Sequence, residues 1–296
     1  MGSPVRALTR STLRRWPLPD PGNEADKETR GQVLVVAGSP EIPGAAILAG
    51  EAALRAGAGK LMIAAPREIA QGLALAVPEA RVIGLPQARN GDLDAAGAQK
   101  LLQPLAAGVR ALVVGPGMQD EARCVRLVNS LLPAFRHAPV LLDAMAMCAA
   151  RDSSAFSQPV ILTPHAGEMA NLCGMTKEEV AADPLAAVRG AADAFNACVA
   201  LKGAQTYVCL PGQPAWRFDG GSPGLATSGS GDALAGLIGG LAARGLSVEG
   251  ACAWGVTLHA RAGHALARRM GPLGYLAREL SHEVPAQLRM LGDGSH

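Results

Sequence analysis

The stretch QVLVVAGSPEIPGAAILAGEAALRAGAGKLMIAAPREIAQGLALAV, residues 32–77, decides the fold class. Gln32–Ala37 and Lys60–Ala65 are short, nearly continuous apolar runs, and each is followed by a longer Ala/Leu-rich stretch of helical length, Gly44–Gly57 and Arg67–Val77. Apolar runs without polar alternation read as strands buried on both faces. Strands that alternate with helices read as βαβ units, which build a parallel sheet covered by helices on both sides.

The rhythm continues outward. Ala80–Leu85, Ala111–Gly115, Val140–Asp143 and Pro159–Thr163 read as further buried strands, with helices at Asp94–Ala107, Asp120–Leu132 and Leu185–Asn196. Beyond residue 197 only turn signals (Gly203, Pro211-Gly212) separate Cys198–Lys202, Tyr207–Leu210 and Ala215–Phe218, which predicts an antiparallel edge. Gly231–Leu241 and Val248–Met270 follow as helices and Tyr275–Leu280 as a turn or two. The segment from Met1 to Arg30 mixes Arg, Pro and charge without period and reads as a surface arm. With no repeat or linker in sight, the expected organisation is a tail over residues 1–24 and one catalytic domain over residues 25–290.

Composition excludes several classes of function. Lys and Arg number 27 against 25 Asp and Glu, a net charge of +2, so no charge excess points to nucleic acid or an anionic membrane. No run of apolar residues is long enough to span a bilayer. The six cysteines show no CxxC or His/Cys spacing suited to zinc, and no apolar segment follows Arg6–Arg15 as a secretory signal would require; a cytoplasmic protein with reduced thiols is expected. Aromatic residues make up only 3% of the chain while glycine supplies 36 of its 296 residues, so small side chains fill the interior and the glycines need a task.

Many of them sit just after strands: Gly38 with Gly44, Gly115-Pro116-Gly117, Pro164-His165-Ala166-Gly167-Glu168, and Gly229-Ser230-Gly231-Asp232. Ligands of open α/β sheets bind at the carboxyl ends of strands, so these loops line one crevice. The strongest is Ala226–Asp232, which runs straight into a helix: amides at a helix N-terminus, uncrowded at Gly229 and Gly231, form an anion nest. Asp232 would repel that anion, but it suits a base taking a proton from a hydroxyl that attacks a phosphoryl group. Taken alone it equally suits a first-turn acid complementing the helix dipole. Lys202-Gly203-Ala204-Gln205-Thr206 brings a cation and a hydroxyl to the crevice, as a nucleotide needs, or is a turn with a solvated lysine. Glu168 either holds Mg²⁺ through water or caps a helix, and His165 three residues earlier shares its face. His137, His259, His264 and His282 lack such context and read as structural or surface residues, and Met145 with Met147 reads as core packing. Ala56-Gly57-Ala58-Gly59-Lys60 is no Walker A, since Leu61 follows where Ser or Thr is needed. Gly220-Gly221-Ser222-Pro223-Gly224 is no nucleophile elbow, since Pro223 has no N–H for an oxyanion hole.

Val33–Ser39 with Gly44-Ala45, Gly115-Pro116-Gly117, Thr163–Glu168, Leu201–Ala204 and Pro223–Asp232 together resemble the NAD(P)H-hydrate dehydratase family, from about Lys27 onward. The resemblance implies a ribokinase-like three-layer αβα sandwich without a lid domain, assembled as a homotetramer. It implies use of ADP, or ATP in eukaryotic members, with Mg²⁺, to dehydrate the S form of the 6-hydroxylated cofactor (NADHX or NADPHX); the Ala/Gly/Arg-rich composition favours ADP. By analogy Asp232 is the base, Gly229, Ser230 and Gly231 stabilise the transferred group, Ala45, Gly117, His165 and Asp232 contact the hydrated cofactor, and Lys202–Thr206 with Gly231 contact the nucleotide. The epimerase domain fused to many relatives is absent from this sequence, so a separate epimerase is expected. Asp143-Ala144-Met145 stands where the family usually has Asp-Ala-Asp, Ser228 where Gly is common and Ser222 where Asn is common. Two rivals stay open: a kinase of the same superfamily acting on a sugar or vitamin-precursor alcohol, opposed by His165-Ala166-Gly167-Glu168 where sugar kinases show Asn-x-x-Glu, and a nucleotide-binding protein that has lost catalysis.

Overall fold

A computed structural model describes residues 4–20, 22, 26–87, 93–152 and 155–292. Ten strands form one sheet: β1 (Arg6–Ala7), β2 (Gln32–Val36), β3 (Lys60–Pro66), β4 (Ala80–Leu85), β5 (Ala111–Val114), β6 (Val140–Leu142), β7 (Val160–Leu162), β8 (Cys198–Leu201), β9 (Gln205–Cys209) and β10 (Trp216–Asp219). Their order is β1-β10-β9-β8-β7-β6-β5-β2-β3-β4. Every neighbouring pair is parallel except β8/β9 and β9/β10. The expected antiparallel edge is therefore one reversed strand, β9, followed by two strands that resume the common direction.

The helices are α1 (Arg10–Leu13), α2 (Gly44–Arg55), α3 (Arg67–Ala76), α4 (Ala95–Leu102), α5 (Glu121–Leu131), α6 (Ala149–Asp152), α7 (Ala166–Cys173), α8 (Lys177–Ala182), α9 (Pro184–Phe195), α10 (Ser230–Ala243), α11 (Val248–Met270) and α12 (Ala277–Gly292). Alternate residues of β2 supply both cores. Val33 and Val35 pack with α2, α10, α11 and α12, whereas Leu34 and Val36 pack with α4, α5, α7 and α9, giving three layers. The order reverses between β2 and β5, which places Gly38 and Gly115–Gly117 at the crevice this topology opens.

Helices α2 and α10 lie so close that a Cβ on Gly236 would strike the Ala49 carbonyl, and one on Gly240 the Ala53 carbonyl. The glycine surplus inside α10 thus serves helix packing, and backbone cannot yield as a side chain can. Gly236→Ala is expected to destabilise the protein by about 2 kcal/mol, read as a fall in Tm of roughly 3 °C.

Two expectations are corrected here. Residues 4–20, read as a tail, are built into the fold: Arg6–Ala7 extend the sheet beside β10, and Leu8 and Leu13 are buried. Aromatic stacking secures the segment. The rings of Trp16 and Trp216 meet edge to face at 5.1 Å, the Arg6 and Arg15 guanidinium groups lie 5.6 and 5.5 Å from the Trp216 ring, and Trp254 Nε1 donates to the Trp16 carbonyl at 2.7 Å. Residues 1–3, 21 and 23–24 of that stretch, and Ala25 at the start of the expected domain, lie outside the described residues. Second, the turn or two expected over Tyr275–Leu280 is longer: Ala277–Leu280 is the first turn of α12, which continues to Gly292 through Pro285.

Candidate active site

The site is built where β6, β7 and β8 end beside the first turn of α10. Adjacent parallel strands bring their C-terminal residues to one level, so Asp143 after β6, Thr163 after β7 and Lys202 after β8 meet although scattered in sequence. Asp143 is 3% exposed; its Oδ1 accepts from Thr163 Oγ1 at 2.6 Å and from Lys202 Nζ at 3.3 Å. Glu168 Oε2 lies 3.7 Å from the same ammonium. Burial alone would lower the Lys202 pKa, but Asp143, Glu168 and Asp232 outweigh it and hold the ammonium charged. Lys202 is therefore a partly buried cation among three acids, not a solvated lysine. In the sequence Asp143 stands out only through Asp143-Ala144-Met145 and has no assigned role, because the lysine it pairs with is remote in the chain.

The turn Pro164–Glu168 opens α7 as a reciprocal cap. His165 Nδ1 accepts from the Gly167 and Glu168 amides at 3.0 and 3.2 Å, and Glu168 Oε2 accepts from the His165 amide at 2.8 Å. The other ring nitrogen, Nε2, lies 3.6 Å from Glu168 Oε1, so the ring is held by the same carboxylate at both ends of the cap.

Helix α10 starts without a side-chain cap. Gly229 is left-handed (φ 84°), and a Cβ there would run into Leu48. The Ser230 amide donates to Thr227 O at 3.2 Å and the Ala233 amide to Gly229 O at 3.1 Å, leaving the Gly231 and Asp232 amides as the open donors of the turn. Ser230 thus departs from its expected part in the anion nest, because its amide is occupied and its hydroxyl faces His259 at 3.0 Å. A Cβ on Gly231 would sit 3.5 Å from Lys202 Nζ, so cation and open amides adjoin. Burial first, then the Asp143 charge, raise Asp232 from 3.8 to about 6 against the opposing pull of Lys202. A carboxylate held near 6 is ionised at neutral pH yet basic enough to take a proton.

A cavity of about 780 Å³ opens beside these parts, lined by His165, Lys202, Gly203, Ala204, Thr206, Ser230 and Gly231 on the polar side and by Pro223, Leu225, Leu234, Val256, His259 and Ala260 on the other. Gln205 is turned away, its side-chain amide donating to Asp219 Oδ1 at 2.8 Å. A second hollow of about 250 Å³ opens at the β2/β5 reversal between Gly38-Ser39 and Met118-Gln119. Ala45 and Gly117 are not among the residues that line it but touch each other behind Gly38: Ala45 is 2% exposed, and a Cβ on Gly117 (φ 69°) would lie 2.6 Å from the Ala45 methyl. They keep two loops close together. Of the methionine pair only Met147 is core; Met145 is 37% exposed, because Ala144 at φ 48° turns the chain outward after Asp143.

A mostly parallel three-layer sheet, with a Gly-Ser-Gly-Asp helix start facing a lysine held by acids, defines a ribokinase-like protein. A ribokinase-like superfamily protein of Enterococcus faecalis shares that fold with a TM-score of 0.82 at 24% identity, over 97% of this chain and 96% of the other. The family model described as NAD(P)H-hydrate dehydratase matches residues 33–286, and the chain belongs to that family. It is 46% identical over 293 residues, 99% of each chain, to the ADP-dependent (S)-NAD(P)H-hydrate dehydratase of Xanthomonas campestris pv. campestris. It also matches the structure of the ADP/ATP-dependent NAD(P)H-hydrate dehydratase of Bacillus subtilis co-crystallized with ATP/Mg²⁺: TM-score 0.82, 29% identity, 98% of this chain and 99% of the other.

Proposed function

We propose that the protein dehydrates the S form of NAD(P)H hydrate to NAD(P)H at the expense of ADP, a hydro-lyase reaction that repairs the nicotinamide cofactor. The observation that carries this reading is Asp232, poised near 6 beside the open amides of α10 and the Lys202 ammonium. Hydroxide is a poor leaving group. Asp232 takes the proton of the C6 hydroxyl, the oxygen attacks the terminal phosphoryl group of ADP, and the P–O bond to AMP breaks. The ring nitrogen lone pair then expels phosphate, and loss of the C5 proton leaves the reduced ring. The Gly231 and Asp232 amides and Lys202 receive the charge that spreads over the transferring group. Lys202, Gly203, Ala204 and Thr206 bind the nucleotide in the larger cavity, with Gln205 contributing backbone only, while His165, Ala45 and Gly117 border the hydrated cofactor.

Among the described residues no three His, Cys, Asp or Glu side chains gather to hold a metal ion. The donor set fits Mg²⁺ that keeps its waters and arrives on nucleotide phosphates, a mode needing one or two carboxylates. Glu168 and Asp143, both on Lys202, are the carboxylates placed for it. When bound, the ion neutralises phosphate charge.

The proposed partners are NADHX or NADPHX with ADP, ATP serving less well, and a separate epimerase supplying the S form. Exposed Met270 at the end of α11, with Leu273 and Leu276 before α12, offers apolar surface for contact between copies, and a homotetramer is proposed. Among the described residues no helix is long and apolar enough to cross a membrane, and a cytoplasmic location is proposed. Incubation with the S hydrate and ADP is expected to restore the near-ultraviolet absorbance of the reduced ring, with AMP and phosphate released one to one. No recovery with either nucleotide would overturn the reading, and a stable phosphate ester on an added alcohol would make the protein a kinase.

A further inference from the structure

His259 has no task in the reaction as derived, yet it is 8% exposed and touches the turn on which that reaction depends. Its Nε2 lies 3.0 Å from Ser230 O and 3.0 Å from Ser230 Oγ. The geometry points to His259 as a positioning residue that fixes the anion-binding turn of α10 from the α11 wall of the nucleotide cavity. The inference rests on the proposed dehydratase reading for what the turn binds.

A helix start ordinarily frays unless a side chain caps it. Here Gly229 offers none, and the residues before it contribute a single hydrogen bond, from the Ser230 amide to Thr227 O. The imidazole supplies the missing anchor from the neighbouring helix, donating to the Ser230 carbonyl. Burial pushes its pKa down to about 4, so at neutral pH it brings no second cation beside Lys202. Val256 and Ala260, one turn before and one residue after it on α11, line the same cavity. One side chain thus joins the apolar wall of the cavity to the two open amides at its polar end. A misplacement of about 1 Å at such amides can cost about 10²-fold in rate.

Three variants of the full chain test this. His259→Leu and His259→Asn remove the donor or leave it short, whereas His259→Gln carries an amide N–H to nearly the reach of Nε2. Expected are a kcat lower by about 10–10²-fold for H259L and H259N, with KM for the hydrate changed less than about threefold, and recovery of most of the rate in H259Q. Without ligand, amide hydrogen exchange at Ser230 and Ala233, the hydrogen-bonded amides of the turn, is expected to be at least about tenfold faster in H259L and H259N and near wild type in H259Q. A folded H259N with wild-type kcat and exchange overturns the proposal, and so does an H259Q as impaired as H259N, since bulk and not the hydrogen bond would then matter. If the wild-type protein does not dehydrate the hydrate, the functional reading fails on its own. The exchange data still decide the positioning role, and unchanged exchange in H259N overturns it.

Discussion

Asp232→Asn is expected to lower turnover by about 10²–10⁴-fold while ADP affinity is preserved, because the amide keeps the shape of the carboxylate but accepts no proton. Stability separates this outcome from misfolding. Burial and Asp143 raise the Asp232 carboxyl from 3.8 to about 6, so the folded protein binds that proton more tightly than the unfolded chain does. The ionised group is therefore a burden that grows between about pH 4 and 6 and stays constant above. Asn carries no such charge, and D232N is expected to be more stable than wild type at pH 7 by on the order of 2 kcal/mol, with the gain vanishing below about pH 4. The same value sets the wild-type rate profile: kcat falls about tenfold per unit below pH 6. Turnover of D232N within twofold of wild type would return Asp232 to complementing the dipole of α10.

Lys202→Met is expected to do the opposite to stability. It strips the cation from Asp143, which is 3% exposed and left with Thr163 as its remaining side-chain partner, at a cost of roughly 3 kcal/mol. Turnover is expected to drop by about 10²–10³-fold as the transferring phosphoryl group loses a fixed positive charge. Since Lys202 holds the Asp232 pKa down, its removal moves the acid limb of the rate profile above 6. A destabilised K202M whose limb stays in place would show that Asp232 does not sense the ammonium.

The alternation in residues 32–77 carried the central sheet because each β2 residue is buried on one face or the other, and that demand is local. Asp232 and the glycines around it were legible for the same reason, as a turn followed at once by a helix. The pairing of Asp143 with Lys202, and of His259 with Ser230, arises only through strand order and helix packing, and no spacing rule reaches across such separations in the chain. The Arg-rich start misled because its partner, Trp216, belongs to a strand near the other end of the sequence. Helix α12 was cut short because its polar positions and Pro285 mimic a stop.

The three tryptophans of the chain, Trp16, Trp216 and Trp254, meet where the N-terminal segment docks, and none of them lines the reaction cavity. The protein consequently carries a built-in optical gauge of one event. In the absence of ligand, its indole emission and near-ultraviolet dichroism report whether the first strand is seated on the sheet.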